Sequence, residues 1–300
     1  ADQVSIMVRE FADLEGVMGQ TYALMEGRDP EVAQAIREQF LPDSAGGVPP
    51  ASVTGALLAT VEKADNITAA FACGEPPSGS KDPYGLRRAA AGMVAIAMEH
   101  GFRYDVAELV ERAYVELERF QGLLPREEVV SPAVEFIFER LVKSLTDEGL
   151  SRDTVESVLP TSADFVDLRR RAVAMQAFRA DARWDDLVTV FTRPSNLAKK
   201  LPEDAAQGLR VDPGLFALDA ETMLHEEWLE TVVSVDAALA VEQYDEALAA
   251  LAGLRPAVDR YFDDVLVMAE DEAVRLNRLR QLAAIAATVR RVAHLDLIQG

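Results

Sequence analysis

The chain has 300 residues, 51 of them acidic against 30 basic, a formal net charge of −21, 49% apolar residues and one cysteine. Such a composition excludes a collagen-like or disordered chain, and a lone Cys73 excludes an internal disulfide framework and suits a reducing compartment. With no apolar run near the roughly 20 residues of a membrane span and no leader-like opening segment, a soluble cytoplasmic protein of one large or two ordinary domains is expected.

Nearly every segment reads as helix. Val4, Met7, Val8, Phe11, Leu14, Val17 and Met18 recur at three- and four-residue steps, which predicts one amphipathic helix. Asp29-Pro30-Glu31 starts a second, with Val32, Ile36 and Phe40 inward, and Pro42 to Pro50 is a loop. From Ser52 a third helix presents Val53, Leu57, Val61, Ala64, Ile67 and Phe71, and stops at Gly74. Cys73 lies in that apolar run and is expected to be packing. Helices follow from Asp82 to Gly101, from Asp105 to Gly122, from Ser131-Pro132 to Gly149, and over 152–159. The proline and new polar caps near 160 predict a domain boundary, giving domains 1–160 and 161–300.

The second half repeats the pattern. Residues 162–182 place Phe165, Leu168, Val173 and Phe178 inward and Arg169-Arg170-Arg171 largely outward, and Trp184–Phe191 continues the bundle. The stretch 200–216 reads as loop, Ala220–Val241 as a long acidic helix, and Tyr244–Leu254 with the Pro256 helix as a hairpin. Asp271–Leu295 closes the chain with Leu276, Leu279, Leu282, Ile285, Val289 and Val292 inward. No strand-like alternation of any length occurs. The expected fold class is all-α, two helical bundles in succession.

An acidic sum argues against nucleic acid, because phosphates repel acidic surfaces. Its distribution is uneven, however: residues 161–200 hold eight Lys/Arg and five Asp/Glu, whereas 201–250 hold one Arg and twelve acids. A basic face on an acidic protein is therefore permitted. Arg193, Asn196, Lys199 and Lys200 fall at one- to four-residue steps, and Arg275 and Arg278 one turn apart. Such groupings suit phosphate contacts, with Asn available for a base edge or sugar; Arg275 and Arg278 are equally able to pair with Asp271 or Glu272. There is no P-loop, dinucleotide fingerprint, Cys-x-x-Cys or nucleophile elbow, so no catalytic residue is expected.

The most informative stretch is Pro77–Arg88, Pro-Ser-Gly-Ser-Lys-Asp-Pro-Tyr-Gly-Leu-Arg-Arg. Ser78-Gly79-Ser80 is turn chemistry, Asp82 then Pro83 predicts a capped helix start, and Lys81, Arg87 and Arg88 surround it. This string resembles the Gly-Ser-Lys-Asp-Pro-(aromatic)-x-Leu-Arg-Arg signature of the β subunit of bacterial heterotetrameric glycyl-tRNA synthetase. Glu10-Phe11 to Gly19, Lys63-Ala64-Asp65-Asn66, Arg193-Pro194-Ser195-Asn196-Leu197-Ala198-Lys199 and Tyr261-Phe262-Asp263 to Leu279 resemble further family segments, in family order. The resemblance implies the C-terminal part of that subunit, an HD-like helical domain followed by a DALR-like anticodon-binding helical domain. It implies glycine tRNA and the α subunit as partners in an α2β2 assembly, neither membrane nor DNA, and ATP with Mg only at the α subunit.

On that resemblance the tRNA-binding residues are Arg193, Asn196, Lys199, Lys200, Arg275, Arg278, Lys81, Arg87 and Arg88, although Arg87 or Arg88 can instead anchor its loop on a carboxylate. An HD phosphohydrolase needs several His and Asp ligands around a metal, but His100, His225 and His294 are the three histidines and none precedes Asp. No metal or cofactor is expected. The rival readings are that phosphohydrolase and a helical subunit-docking module without RNA affinity.

Overall fold

The computed structural model describes residues 6–44, 46–202 and 210–298. Among these residues there is no strand, only one isolated bridge between Ser78 and Lys81. The chain forms two compact units: residues 1–148 with 163–166, and residues 149–162 with 167–300. The crossover thus falls on both sides of Pro160, because a short segment returns to the first unit.

The first unit holds α1 (Ile6–Glu10), α2 (Val17–Met25), α3 (Pro30–Glu38), α4 (Val53–Ala72), α5 (Leu86–His100), α6 (Val106–Leu117) and α7 (Arg126–Asp147). The single helix expected over 4–18 is instead broken into α1, a 3₁₀ turn at Ala12–Leu14, and α2. Gly16 carries φ +79°, and a Cβ there would lie 2.9 Å from the Arg37 carbonyl oxygen, so the break lets α3 approach. Val4 lies outside the described residues.

The α4 helix runs through the centre, packed by α3, α5, α6 and α7. Its buried face is Gly55, Ala56, Ala59, Thr60, Lys63, Ala64, Ile67, Thr68 and Phe71. Val53, Leu57 and Val61, expected inward, are exposed, as is Val32 on α3, where Ala33, Ala35 and Glu38 are buried instead. Small residues win this face because they let neighbouring backbones close: Ala56 and Ala59 form a core cluster with Ile96, against which Phe102 packs. Cys73 is exposed at the end of α4 and is not core. The α7 helix starts at Arg126, earlier than Ser131-Pro132 suggested, and runs through Pro132. Glu127 and Glu128 in its first turn complement the helix dipole. The returning segment 163–166 is held where Val106 donates its N–H to the Ala163 carbonyl and Phe165 packs edge-on to Tyr104 and Phe138.

The second unit contains α8 (Arg152–Val158), most of α9 (Phe165–Phe178), α10 (Trp184–Ala198), α11 (Asp219–Ala240), α12 (Tyr244–Ala252), α13 (Arg255–Asp264) and α14 (Glu272–Arg290). Here α14 is the buried axis: Leu279, Leu282, Ile285 and Val289 are core, but so are Asn277, Arg278, Gln281 and Thr288. Leu276 is only half-buried, and the helix ends at Arg290, short of Leu295. On α9 the expected Val173 is exposed, and Ala172 and Met175 are buried. Arg171 turns inward, 2.9 Å from Asp167 and over the Tyr244 ring, whereas Arg169 and Arg170 face outward.

Candidate nucleic-acid interface

The nine cations and polar residues singled out in the sequence divide sharply once their partners are known. Four of them lie on or just after the α10 helix. Pro194 does not end it; the helix continues to Ala198, so Arg193 and Asn196 lie in its last turns and Lys199 and Lys200 directly follow it. Arg193 is half-buried, its guanidinium 2.5 Å from the Asp259 carboxylate and 4.5 Å above the Phe262 ring. Asp259 also takes Arg255, at 2.5 Å, so this side of α10 is charge-matched within the protein. Asn196 is exposed and its side-chain oxygen accepts from Lys199 Nζ at 3.4 Å. Lys199 and Lys200 are exposed where the helix ends, and cations there are favoured by the C-terminal end of the helix dipole.

The pair on α14 behaves differently. Arg278 is buried: Nε and Nη2 reach the two Glu221 oxygens at 2.8 and 3.1 Å, and Nη1 donates to the Leu266 carbonyl at 2.9 Å. Neither Asp271 nor Glu272 is its partner. Burial pushes the Glu221 carboxyl up, but Arg278 and the backbone N–H groups of Ala217 and Leu218 outweigh it and hold the pKa below its ordinary value. Turned inward, Arg278 ties α14 to α11 and does not face solvent. Arg275 is mostly covered, donating to the Ala269 and Glu270 carbonyls at 2.9 and 3.3 Å, with Glu272 3.9 Å away. Asp271 caps α14 through the Val274 N–H, as expected of an acid at a helix start.

In the first unit, Asp82-Pro83-Tyr84-Gly85 is a turn, closed by the Gly85 N–H on the Asp82 carbonyl, and α5 begins only at Leu86. Asp82 still caps that helix from the start of the turn, accepting from the Leu86 and Arg87 N–H groups at 2.8 and 3.0 Å. Gly85, at φ +67°, allows this detour. Arg87 anchors the loop on the Gly79 carbonyl at 2.7 Å, not on a carboxylate. Lys81 is exposed, and Arg88 is exposed beside a cavity that it shares with Lys63. Sequence reasoning met that lysine in a family-like segment but did not place it among the site residues. Its signal was the four-residue step Gly55, Ala59, Lys63, Ile67, which puts Lys63 on the buried face of α4.

The histidines are separate from one another. His100 meets the Pro50 carbonyl at 2.7 Å and stacks on Phe102, while His225 sits between the rings of Phe216 and Trp228. Burial lowers the pKa of His225 and of His294. Among the described residues no group of three or more His, Cys, Asp or Glu is placed to hold a metal, and no helix is long and apolar enough to cross a membrane.

The class defined by this architecture is an all-α protein of two helical units, with Lys81 exposed in a turn and Lys199 and Lys200 exposed at a helix end. The family model described as glycyl-tRNA synthetase beta subunit matches residues 1–160, and the chain belongs to that family. It is 41% identical over 298 residues to the glycine–tRNA ligase beta subunit of Desulforudis audaxviator, covering 98% of this chain and 42% of the relative. The corresponding subunit of Levilactobacillus brevis is 40% identical over 299 residues, again 98% of this chain and 42% of the relative. That of Geobacter metallireducens is 41% identical over 292 residues, 95% of this chain and 41% of the relative. The chain therefore spans about two fifths of the length of these relatives.

Proposed function

We propose that this region of a glycine–tRNA ligase β subunit recognises glycine tRNA, with residues 1–160 as an HD-like domain and 161–300 as an anticodon-binding-like domain. Aminoacylation itself takes place at the α subunit, where ATP and Mg bind, within an α2β2 assembly. The observation that carries the reading is the match to glycine–tRNA ligase β subunits along nearly the whole chain. The end of α10 supports an RNA contact in particular. Lys199 and Lys200 are exposed there, beside Asn196, at the close of a segment with a basic surplus. Cations suit phosphates and the amide suits a base edge or ribose. Arg193 contributes less because Asp259 already holds it, and Arg278 acts by keeping α14 in place.

A second reading, a docking module without RNA affinity, draws on the exposed Val32, Val53, Leu57 and Val61 and on the net −21. One titration separates the two. Labelled glycine tRNA, a non-cognate tRNA and an anticodon-swapped variant are bound to the chain at several salt concentrations. Preference for the cognate tRNA that weakens steeply with salt is expected. The Lys199→Ala/Lys200→Ala double variant should reduce the salt slope by about 2, since two phosphates are no longer neutralised. Equal, feeble binding of all three RNAs at low salt would give the role to the docking module.

A further inference from the structure

We propose that the first unit contains a ribonucleotide-binding pocket between α4 and α5, with Lys63 and Arg88 as its phosphate contacts. The cavity is about 260 Å³, close to the lower limit of roughly 300 Å³ for small-ligand sites. Lys63 reaches it from the buried face of α4. Its side chain is 4% exposed, yet among the described residues its ammonium has only the Gln39 carbonyl at 3.2 Å and Glu62 at 3.8 Å as partners. Arg88 approaches from the first turn of α5.

The surroundings are shaped to these two cations. A Cβ on Gly92 would lie 2.9 Å from Lys63 Cε, and one on Gly85 would lie 2.8 Å from an Arg88 nitrogen. Glycines therefore stand where each cation passes. The lysine is also strained electrostatically: burial pushes its pKa down, Glu62 opposes that, and the neighbouring Arg88 pushes it down further. An anion between the two cations relieves the repulsion and completes the lysine's donors.

The remaining lining decides what kind of anion. Glu15, Asp43 and Glu62 face the same cavity. A bare phosphate would meet three carboxylates as well as two cations, and gain little. A ribonucleotide carries a phosphate for the cations together with ribose hydroxyls and base N–H groups for the carboxylates. Tyr84 and Phe40 line the pocket and offer ring faces on which a base can stack. Shared ligand chemistry fits either a free nucleotide or one unit of single-stranded RNA.

This site is in a different unit from the α10 cations and does not rest on their binding RNA. The test is calorimetric titration of the 300-residue chain with AMP, GMP, CMP and UMP, with a ribotrinucleotide, and with glycine as a zwitterionic control. At least one nucleotide or the trinucleotide is expected to bind in the millimolar range or tighter, and inorganic phosphate alone to bind more weakly than either. A free nucleotide source gives the tighter signal with the monomers, an RNA source with the trinucleotide. Arg88→Ala should weaken binding about tenfold without lowering the melting temperature, since Arg88 is exposed. The Lys199→Ala/Lys200→Ala variant should bind as the parent does, which separates this site from the α10 surface. Lys63→Met is a second probe, read only if its circular dichroism melt matches the parent. No binding of any nucleotide or trinucleotide, equal binding by Arg88→Ala, or binding of glycine alone would overturn the proposal.

Discussion

Two buried carboxylates, Glu38 and Glu221, each hold the start of a helix. Glu38 on α3 accepts from the Ala51 and Ser52 N–H groups at 3.1 Å each, from the Ser52 hydroxyl, and from Gln34 at 2.7 Å. Burial raises its pKa, but these hydrogen bonds outweigh it and the net shift is downward from 4.5. A depressed folded pKa means that its contribution is full above the ordinary value of 4.5 and is lost as pH falls through the folded value. Glu38→Gln keeps the shape and removes the charge, so it should cost about 1–3 kcal/mol near neutrality. It should also flatten the acid limb of a stability-against-pH curve, measured by urea unfolding. Glu221 raises the stakes because its partner is charged too. Arg278→Ala leaves a buried, unpaired carboxylate and should cost about 3–5 kcal/mol, by the same urea measurement. The Arg278→Met/Glu221→Leu double variant should recover only part of the Arg278→Ala loss, since the Ala217 and Leu218 N–H groups also depend on Glu221. Complete recovery would mean that the ion pair contributes no more than an apolar filling.

At the scale of the element, α4 puts helix propensity and packing in opposition. Gly→Ala inside a helix normally stabilises by about 1 kcal/mol. At Gly55 a Cβ would lie 2.2 Å from a Glu38 carboxylate oxygen, 2.7 Å from Glu38 Cβ and 2.8 Å from Ser52 Oγ. The carboxylate tip can turn aside, but Glu38 Cβ cannot move without α3. Overpacking of this kind costs about 1–3 kcal/mol, so Gly55→Ala should destabilise, read as a lower melting temperature. A rise would show that α3 yields easily. The same helix explains what the sequence concealed. Apolar periodicity located α4 from Ser52 to Gly74 correctly, but assigned Val53, Leu57 and Val61 to the core. Periodicity weighs side chains by apolarity, whereas close helix contact selects for small size, and Gly55, Ala56 and Ala59 satisfy that. On α14, periodicity found the leucines and valines, but Asn277, Arg278 and Gln281 are buried through partners far away in sequence. Asn277 exchanges two hydrogen bonds with Asp212, and Gln281 donates to the Glu221 carbonyl. Nothing local to α14 announces those partners. That is why Arg278 reads as a ligand contact in sequence and as an internal tie in the fold.

Across the whole molecule the question is whether charge stabilises or strains the fold. Many ion pairs are exposed and local, such as Arg112–Glu108, Lys143–Asp147 and Arg152–Glu156, each one turn apart. Pairs of this kind contribute about 0.3–0.5 kcal/mol apiece and weaken in salt. Against them stands an unmatched −21, with twelve acids and one arginine in residues 201–250 alone. Charges of one sign repel across a compact body more strongly than along an extended chain. Going from about 0.01 M to about 0.15 M salt shortens the screening length from about 30 Å to about 8 Å. That step removes much of the long-range repulsion while leaving the close pairs of the interior, such as Arg278–Glu221, largely intact. The melting temperature should therefore rise over this range of sodium chloride, measured by calorimetry at neutral pH. If the proposed RNA contact at α10 holds, binding of tRNA should weaken over the same range, because released counterions return to the phosphates. Opposite slopes in one buffer series would show that the acidic excess and the α10 cations act as separate fields. A melting temperature that falls with salt would instead give the larger electrostatic effect to the surface ion pairs.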